Sequence, residues 1–340
     1  MSYHVYVTVS GEGRIARFSM DRETGALEPR GDIALPGRPA PIALHPDRRV
    51  MHVARRDAHL ITSLHIDPAS GGLTEIGTIP SVEDPCHMST DRKGRYLLAA
   101  YYLSHKVTVH RIGDDGAAID PPVVFRETAI GAHCFQTDPT NRFAFVPHIA
   151  RADAPNAIFQ FLFDETTGQV TPNDPPQVPQ PDWTGPRHYC FHPAKDIVYF
   201  SNEQGCSVSV YALDTRKGTL APLQTISTLP DGWSGQSKCS QIRMTPDGRF
   251  LYAPNRGHDS IAQFAVDPAS GRLTALGQVP AEKIPRAFEI DPAGRFLISA
   301  GHDTGRLAVY RIDGDTGRLE QVAQHEVGAV PMWVTIIPAA

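Results

Sequence analysis

Two adjacent basic residues, Arg187 and His188, open a short apolar segment that follows a Gly-Pro corner in TGPRHYCFHP, residues 184–193. A guanidinium binds carboxylates and phosphates through paired hydrogen bonds, and an imidazole can exchange a proton near neutral pH. Successive residues of a strand point to opposite faces, so in a strand these two side chains cannot share one environment. We therefore expect one of them to face a binding site and the other to pack inside the protein.

A repeated turn supplies the frame for these residues. Short apolar segments end at variants of it, whose first residues are His45, Asp91, Asp138, His192, Thr245, Asp291 and Ile337. A second motif, most often an Asp with a Gly four residues later, keeps the same spacing and begins at Asp21, Asp67, Gly113, Asp164, Asp214, Asp267 and Asp313. The repeat is 46 to 54 residues long, and each copy contains about four β-branched and aromatic runs. This pattern is typical of β-propeller blades.

The seven copies predict an all-β fold, a seven-bladed β-propeller with four antiparallel strands per blade, in a single domain over residues 1–340. The final segment, PMWVTII at residues 331–337, is a first strand with no strands after it. The N-terminal runs YHVYVTV, RIARFSM and LEPRGDI are three later strands that lack a first one. We therefore expect the C-terminal strand to join the N-terminal blade and close the ring.

Counting from the turns places the polar residues at one end of the blades. The position five residues before each turn opens the first strand and holds Ala40, Cys86, His133, Arg187, Ser240, Arg286 and Met332. The position eleven residues after it ends the second strand and holds Arg56, Tyr102, Ile149, Glu203, Arg256 and His302. Because the two strands are antiparallel, both positions lie on the same rim, at one mouth of the channel. This assigns Arg187 to the channel and His188 to the neighbouring blade, while His87 and Lys238 lie one or two positions away.

Three insertions lengthen loops on this rim: RADAPNA, PNDPPQVPQPDWT and DGWSGQSK. Insertions in repeat proteins often collect on the binding face. The second and third insertions carry Trp183 and Trp233, which we expect to wall a pocket.

Composition excludes several other classes of protein. The formal charge of −5 argues against a nucleic-acid partner, which normally requires a basic surface. No apolar run approaches the roughly 18 residues of a membrane span, and MSYHVYVTVS lacks the pattern of a signal peptide, so a cytoplasmic location is expected. The five cysteines include no Cys-x-x-Cys pair, which predicts neither disulfides nor a zinc site. The rim has one aligned carboxylate, so no metal and no cofactor is expected.

Several segments together resemble one known family, the seven-bladed propeller lactonases, which comprise bacterial propeller-type 6-phosphogluconolactonases and fungal carboxymuconate cyclases. The resemblance spans essentially the whole chain and is carried by GPRHYCFHP, SNEQ, TPDGRFLYAPNR, PRAF and GAVPMWV. It implies catalytic roles for His133, Arg187, Glu203 and Arg256. Substrate contacts are expected from Arg56, His87, Lys238, Arg286 and His302.

The resemblance implies hydrolysis of a small anionic sugar-acid lactone, an aldono-, aldaro- or 6-phosphoglucono-lactone. Either Glu203 or His133 is the base that activates water and the other is the acid, while an arginine stabilises the oxyanion. The remaining cations are expected to bind the anionic group of the substrate. Two alternatives remain open: a cycloisomerase of the carboxymuconate type, which needs the same groups, and a non-enzymatic interaction scaffold. Whether the protein is a monomer or a dimer also stays open.

Overall fold

The computed structural model describes residues 2–149 and 155–340. Apart from two short 3-10 turns, Ser10–Glu12 and Arg56–Ala58, the regular elements are β-strands. No helix in the described stretches is long and apolar enough to span a bilayer. Contacts divide the chain into two compact units: Met1–Ala34, His188–Ala212 and Ala221–Ala340 form the first, and Leu35–Arg187 and Leu213–Leu220 form the second. The expectation of one domain over the whole chain stays a prediction.

The first unit contains three complete antiparallel sheets and most of a fourth. In chain order their strands are β1 (Ser2–Val9), β2 (Arg14–Asp21), β3 (Leu27–Ala34), β16 (Pro186–Phe191), β17 (Ile197–Asn202), β18 (Ser207–Asp214), β19 (Thr219–Ser227), β20 (Lys238–Cys239), β21 (Arg243–Met244), β22 (Phe250–Arg256), β23 (Ser260–Val266), β24 (Leu273–Pro280), β25 (Pro285–Ile290), β26 (Phe296–Gly301), β27 (Arg306–Ile312), β28 (Leu319–Glu326) and β29 (Pro331–Pro338). The sheets follow the orders β29-β1-β2-β3, β16-β17-β18-β19, β20-β22-β23-β24 and β25-β26-β27-β28. The short strand β21 also pairs with β22, so β20 and β21 are two pieces of one first strand.

The second unit contains three four-stranded antiparallel sheets. Their strands are β4 (Pro39–Leu44), β5 (Val50–Arg55), β6 (Leu60–Ile66), β7 (Leu73–Pro80), β8 (Pro85–Thr90), β9 (Tyr96–Tyr101), β10 (Lys106–Arg111), β11 (Val124–Glu127), β12 (Gln136–Thr137), β13 (Phe143–His148), β14 (Ala157–Phe163) and β15 (Val170–Pro179). Within each sheet the strands follow chain order. The described residues thus form seven sheets, one for each predicted blade.

The C-terminal strand completes the N-terminal blade, as the repeat predicts. β29 pairs antiparallel with β1, from Tyr3 opposite Pro338 to Thr8 opposite Trp333. Val334, Ile336 and Ile337 of β29 are buried, and the first two of them pack in a cluster with strands from both ends of the chain. The prediction that the two ends of the chain build one blade together is confirmed.

Burial explains why the second strands are so apolar. Every residue of β9, β17 and β26 is buried, because both faces of these strands are covered. The fourth strand of the first blade, β3, is exposed at most positions and carries Glu, Arg and Asp. Charged side chains on an exposed edge strand discourage pairing with another chain. The apolar content of each run therefore reflects the position of its strand in the blade.

Three copies of the first turn begin with a buried aspartate, whose carboxylate accepts backbone hydrogen bonds from the residues that follow. The Asp91 carboxylate accepts backbone N–H groups of Arg95 and Tyr96 at 2.6 and 2.9 Å, and Asp91 is fully buried. Asp138 and Asp291 make the equivalent pairs of bonds. These bonds satisfy N–H groups that the turn would otherwise bury without a partner. They fix where the second strand begins.

In six copies, the second motif docks its blade on the blade before it. A glycine of the motif lies against the residue that starts the second strand of the preceding blade, and the pairs are Gly116 on Val50, Gly168 on Tyr96, Gly218 on Phe143, Gly271 on Ile197, Gly317 on Phe250 and Gly25 on Phe296. Hydrogen bonds reinforce this contact, since Tyr252 Oη donates to the Gly317 carbonyl at 2.7 Å and Tyr199 Oη to that of Gly271 at 2.8 Å. The two repeated motifs of the sequence therefore meet in one interface between blades.

Gly317 should be one of the most sensitive positions in the first unit. Its φ is +69°, and a Cβ added to it would meet the Phe250 ring. We expect Gly317→Ala to lower the free energy of unfolding by roughly 2 to 4 kcal/mol, through the left-handed backbone and the overpacking together. Gly314→Ala is the matched control, because a Cβ there meets nothing within 4 Å. It should change stability by less than about 0.5 kcal/mol in the same urea titration. Equal stability of the two variants would contradict the docking role.

Deleting residues 330–340 should prevent stable folding. The deletion removes β29 and its three buried aliphatic side chains, each worth about 1.5 to 3 kcal/mol, from a domain whose total stability is expected to be roughly 5 to 15 kcal/mol. It also leaves the β1 edge unpaired. Solubility and circular dichroism melting measure the effect, with deletion of Ala340 alone as the control. A soluble truncated protein with the full-length melting midpoint would refute ring closure as a requirement.

Candidate active site

The rim position of the first strand coincides with a break in strand pairing. Pro85 and His87 pair with consecutive residues of β9, which leaves Cys86 unpaired in the ladder. Arg286 is skipped in the same way between Pro285 and Ala287. A bulge of this kind bends the strand and redirects the side chain. At Cys86 and Arg286, the rim positions five residues before the turn, the side chain therefore departs from the regular alternation between the two faces of the strand.

Glu203 and Arg256, two of the predicted catalytic residues, form an ion pair. Glu203 follows β17 and Arg256 ends β22, in consecutive blades. The Glu203 Oε2 and Arg256 Nη2 atoms are 2.8 Å apart, and the side chains are only 11% and 12% exposed. The sequence alignment predicted that these two positions converge, and the structure brings them into direct contact.

The backbone of Cys239 holds this pair in place. The Cys239 N–H donates to the Glu203 carbonyl at 3.0 Å, and Arg256 Nη2 donates to the Cys239 carbonyl at 2.7 Å. Arg256 Nε is buried and has no hydrogen-bond partner among the described residues. The contacts of Nη2 therefore hold the guanidinium between Glu203 and Cys239.

A cleft of about 730 Å³ lies beside the pair and is lined by Arg256, Lys238, Trp233 and Cys206, among others. Trp233 packs edge-on against the His258 ring, with centroids 4.5 Å apart, and His258 Nδ1 lies 2.7 Å from Ser260 Oγ. Trp233 therefore walls a cleft, as its loop position predicts. Trp183 is 64% exposed, in the second unit.

Lys238 and Arg256 face each other directly across the β20–β22 ladder. Like charges at directly opposed positions of a strand pair repel each other. Glu203 compensates one of the two cations. The cleft consequently keeps an excess positive charge that an anion would relieve.

Other predicted residues of the first unit lie elsewhere. His302 lines a separate cleft of about 670 Å³, and its Nδ1 lies 2.7 Å from the Asp303 carboxylate. Arg286 is half-buried at its bulge. Counting positions from the repeated turns thus identified the rim. The predicted site residues of the first unit, however, lie in more than one cleft.

The remaining predicted residues belong to the second unit. His133 is buried, and its ring meets that of Tyr102 edge-on with centroids 5.6 Å apart. His87 Nδ1 accepts the Phe135 N–H at 3.4 Å, which places it beside the segment before β12 that carries His133. Arg56 lies 3.7 Å from Asp84 on a half-exposed turn. Arg187 is buried, with 3% exposure.

His188 corrects the simple alternation argument. Its ring centroid is 6.3 Å from that of Trp333 on β29, in the N-terminal blade. That blade does not flank the blade of β16 in sequence, so the prediction that His188 faces its neighbouring blade is wrong in this respect. Residues 151–154 of the first rim insertion lie outside the described residues.

Sequence reasoning missed two residues near the ion pair, Cys206 and Cys239. It predicted only that the five cysteines form neither disulfides nor a zinc site. Neither occupies an aligned rim position, and only the contact of Cys206 with the cleft and of Cys239 with Arg256 distinguishes them.

Comparison with known proteins agrees with the repeat. The family model described as a seven-bladed β-propeller lactonase matches residues 4–336. The 6-phosphogluconolactonase of Serratia proteamaculans is 36% identical over 315 residues, 93% of each chain, and that of Pectobacterium carotovorum is 36% identical over 306 residues, 90% of each chain. Among solved structures, the periplasmic gluconolactonase of Pseudomonas aeruginosa matches with a TM-score of 0.91 at 26% identity over the full length of both chains. With its seven four-stranded sheets and the Glu203–Arg256 pair at their rim, the chain belongs to the seven-bladed β-propeller lactonase family.

Proposed function

We propose that this protein hydrolyses a small anionic sugar-acid lactone, of the aldono-, aldaro- or 6-phosphoglucono-lactone class. The observation that carries the proposal is the buried Glu203–Arg256 pair beside a cleft with surplus positive charge. The names of the relatives support it, since they are 6-phosphogluconolactonases and a gluconolactonase. A propeller that served only as a scaffold would have no need of a paired carboxylate at such a cleft.

Ring opening requires a base, a donor for the carbonyl oxygen and a proton for the departing hydroxyl group. Glu203 takes a proton from water as the water oxygen attacks the lactone carbonyl carbon. Arg256, which lines the cleft, stabilises the negative charge that develops on the carbonyl oxygen. When the tetrahedral intermediate collapses, the ring C–O bond breaks and the ring oxygen takes a proton to become a hydroxyl group.

The surplus charge of the cleft selects an anionic substrate. Lys238 lies opposite Arg256, and Glu203 neutralises only one of the two. A phosphate or carboxylate on the sugar would bind at Lys238 and reduce the repulsion between the two cations. A neutral lactone would gain nothing from Lys238.

Roles for the other residues remain proposals from the family resemblance. His133 would be the partner acid or base of Glu203, and Arg187 a second contact to the reacting group. Arg56, His87, Arg286 and His302 would bind parts of the substrate. No metal or cofactor takes part in the proposed reaction.

Hydrolysis is favoured over cyclisation, because the similar proteins are named for lactone hydrolysis. We propose a cytoplasmic location for this protein, whereas the similar Pseudomonas enzyme is described as periplasmic.

Replacing Glu203 by Gln should reduce turnover by roughly 10²- to 10⁴-fold with a smaller change in KM, because the amide keeps the shape but cannot accept the water proton. Steady-state assays with 6-phosphogluconolactone, corrected for spontaneous opening, measure the effect. Glu289→Gln is the matched control, since Glu289 also pairs with a half-buried arginine, Arg243, at 3.1 Å. The control should keep its turnover. Full activity of Glu203→Gln would remove Glu203 from the mechanism.

Replacing Lys238 by Ala should raise KM for a phosphorylated lactone about tenfold or more, through loss of a charge-assisted hydrogen bond, and change KM for neutral gluconolactone far less. Arg286→Ala should have the same selectivity if its bulge directs it at the substrate. Lys195→Ala is the control, because Lys195 lies in the turn after β16, at the opposite end of β17 from Glu203. Equal effects of Lys238→Ala on charged and neutral lactones would refute the anion site.

A further inference from the structure

Two cysteine side chains meet behind the Glu203–Arg256 pair. Cys206 lies in the turn between β17 and β18, and Cys239 ends β20 in the next blade. Both cysteines contact the same two residues. Cys206 Sγ lies 3.9 Å from the Glu203 carbonyl oxygen, which also accepts the Cys239 N–H at 3.0 Å. The Thr228 N–H donates to the Cys206 carbonyl at 2.9 Å, and Thr228 Oγ1 lies 3.2 Å from Cys239 Sγ. Cys206 lines the cleft with 7% exposure, whereas Cys239 is fully buried. One thiol is thus reachable from the cleft and the other lies directly behind it.

The surroundings of the two sulfurs give them different reactivity. The hydrogen bond from Cys239 lowers the pKa of Cys206 to about 7, and a bond to Ser237 and the charge of Arg256 act in the same direction against the effect of burial. Burial raises the pKa of Cys239 instead. The thiolate is the nucleophilic form, so Cys206 is the reactive member of the pair near neutral pH.

Cys239 is also tied to the groups of the proposed active site. Its N–H and carbonyl groups bond to Glu203 and Arg256, and its sulfur lies 3.2 Å from Thr228 Oγ1 and 3.5 Å from Asn255 Oδ1. A displacement of Cys239 would therefore move both partners of the ion pair.

We propose that Cys206 and Cys239 are an oxidation site, at which a hydroperoxide entering the cleft converts the two thiols into a disulfide that links consecutive blades and slows catalysis. The site stands on the contacts that Cys206 and Cys239 share with Glu203 and Thr228, on the opening of Cys206 to the cleft and on the burial of Cys239. Only the effect on catalysis rests on the proposed lactonase function.

The chemistry proceeds in two balanced steps. The Cys206 thiolate attacks one oxygen of hydrogen peroxide, the O–O bond breaks, and with one proton the products are a Cys206 sulfenic acid and water. The Cys239 sulfur then attacks the Cys206 sulfur, the S–O bond breaks, and a second water leaves. Together the two sulfurs lose two electrons and two protons, and the peroxide is reduced to two waters.

The disulfide would change the geometry at the rim. It requires the two Cβ atoms to lie about 3.5 to 4.5 Å apart with a defined torsion angle. Cys206 has a φ of +41°, in the left-handed region that is uncommon for a residue with a side chain. The backbone of its turn is therefore strained, and a change of conformation there would release strain. Adjustment at Cys239 would be transmitted through its two backbone hydrogen bonds to Glu203 and Arg256.

Peptide mapping by mass spectrometry tests the site independently of any activity. The full-length protein is treated with a small molar excess of hydrogen peroxide, and the remaining thiols are blocked with N-ethylmaleimide. We expect a cross-linked peptide joining residues 206 and 239 that disappears on reduction. Cys239→Ser should instead accumulate a sulfenic acid at Cys206, which dimedone traps, and Cys206→Ser should leave Cys239 unmodified. Cys190→Ser is the control, because burial raises the pKa of the Cys190 thiol to about 12 in the unmodified protein. This variant should form the same cross-link as the unmodified protein.

Lactone turnover before oxidation, after it and after dithiothreitol gives the second readout. We expect a reversible loss of about tenfold, typical of small misplacements in an active site, in the unmodified protein and in Cys190→Ser. Absence of the 206–239 cross-link, or faster oxidation of another cysteine, would overturn the site. A cross-link with unchanged turnover would overturn the link to catalysis. A protein that forms the cross-link but opens no lactone, even when reduced, would refute the proposed function and leave the oxidation site standing.

Discussion

The contact between a glycine turn and the start of a strand in the preceding blade is the constraint on which the described structure depends. In the first unit, the turn at Gly317 covers Phe250 and accepts a hydrogen bond from Tyr252, and the turn at Gly271 does the same for Ile197 and Tyr199. A side chain on the glycine would occupy the space of the residue that it covers. Within each unit, such a contact sets the orientation of one blade on the blade before it. The two motifs repeat with one period because they are the two halves of this contact.

This docking determines where the chemical groups lie. In the two blades concerned, the N–H of the first turn residue donates to the carbonyl of the residue that starts the second strand, from His192 to Ile197 and from Thr245 to Phe250, each at 2.9 Å. The turn thus sets the start of the second strand, and the length of that strand sets where it ends. Glu203 and Arg256 stand at equivalent ends in consecutive blades, so a fixed relation between blades brings their side chains to 2.8 Å. The Cys239 backbone, bonded to both, holds the first strand of one blade between them. A buried ion pair is stable only with good geometry and further hydrogen bonds, and the Cys239 carbonyl supplies one of these bonds to Arg256.

The same arrangement connects catalysis with thiol chemistry. Arg256 forms an ion pair with the carboxylate of Glu203, and its charge also favours the thiolate form of Cys206. Trp233, held by His258, covers the cleft that all these groups share. A single guanidinium thus influences a carboxylate, a thiol and the affinity of the cleft for anions, because all three lie within reach of its charge.

The sequence by itself determined the repeat, the strands and the pairing of β29 with β1, because these depend on local turn chemistry and on apolar periodicity that recur in every copy. It also determined that Glu203 and Arg256 converge, since equivalent positions of consecutive blades must lie close together. Only the tertiary structure decided which side chains meet where the repeat is broken. The bulge at Arg286 interrupts the alternation on which face assignment rests, and His188 approaches Trp333 in a blade distant from it in sequence. The contact between Cys206 and Cys239 depends on how two blades pack, which spacing along one strand does not encode.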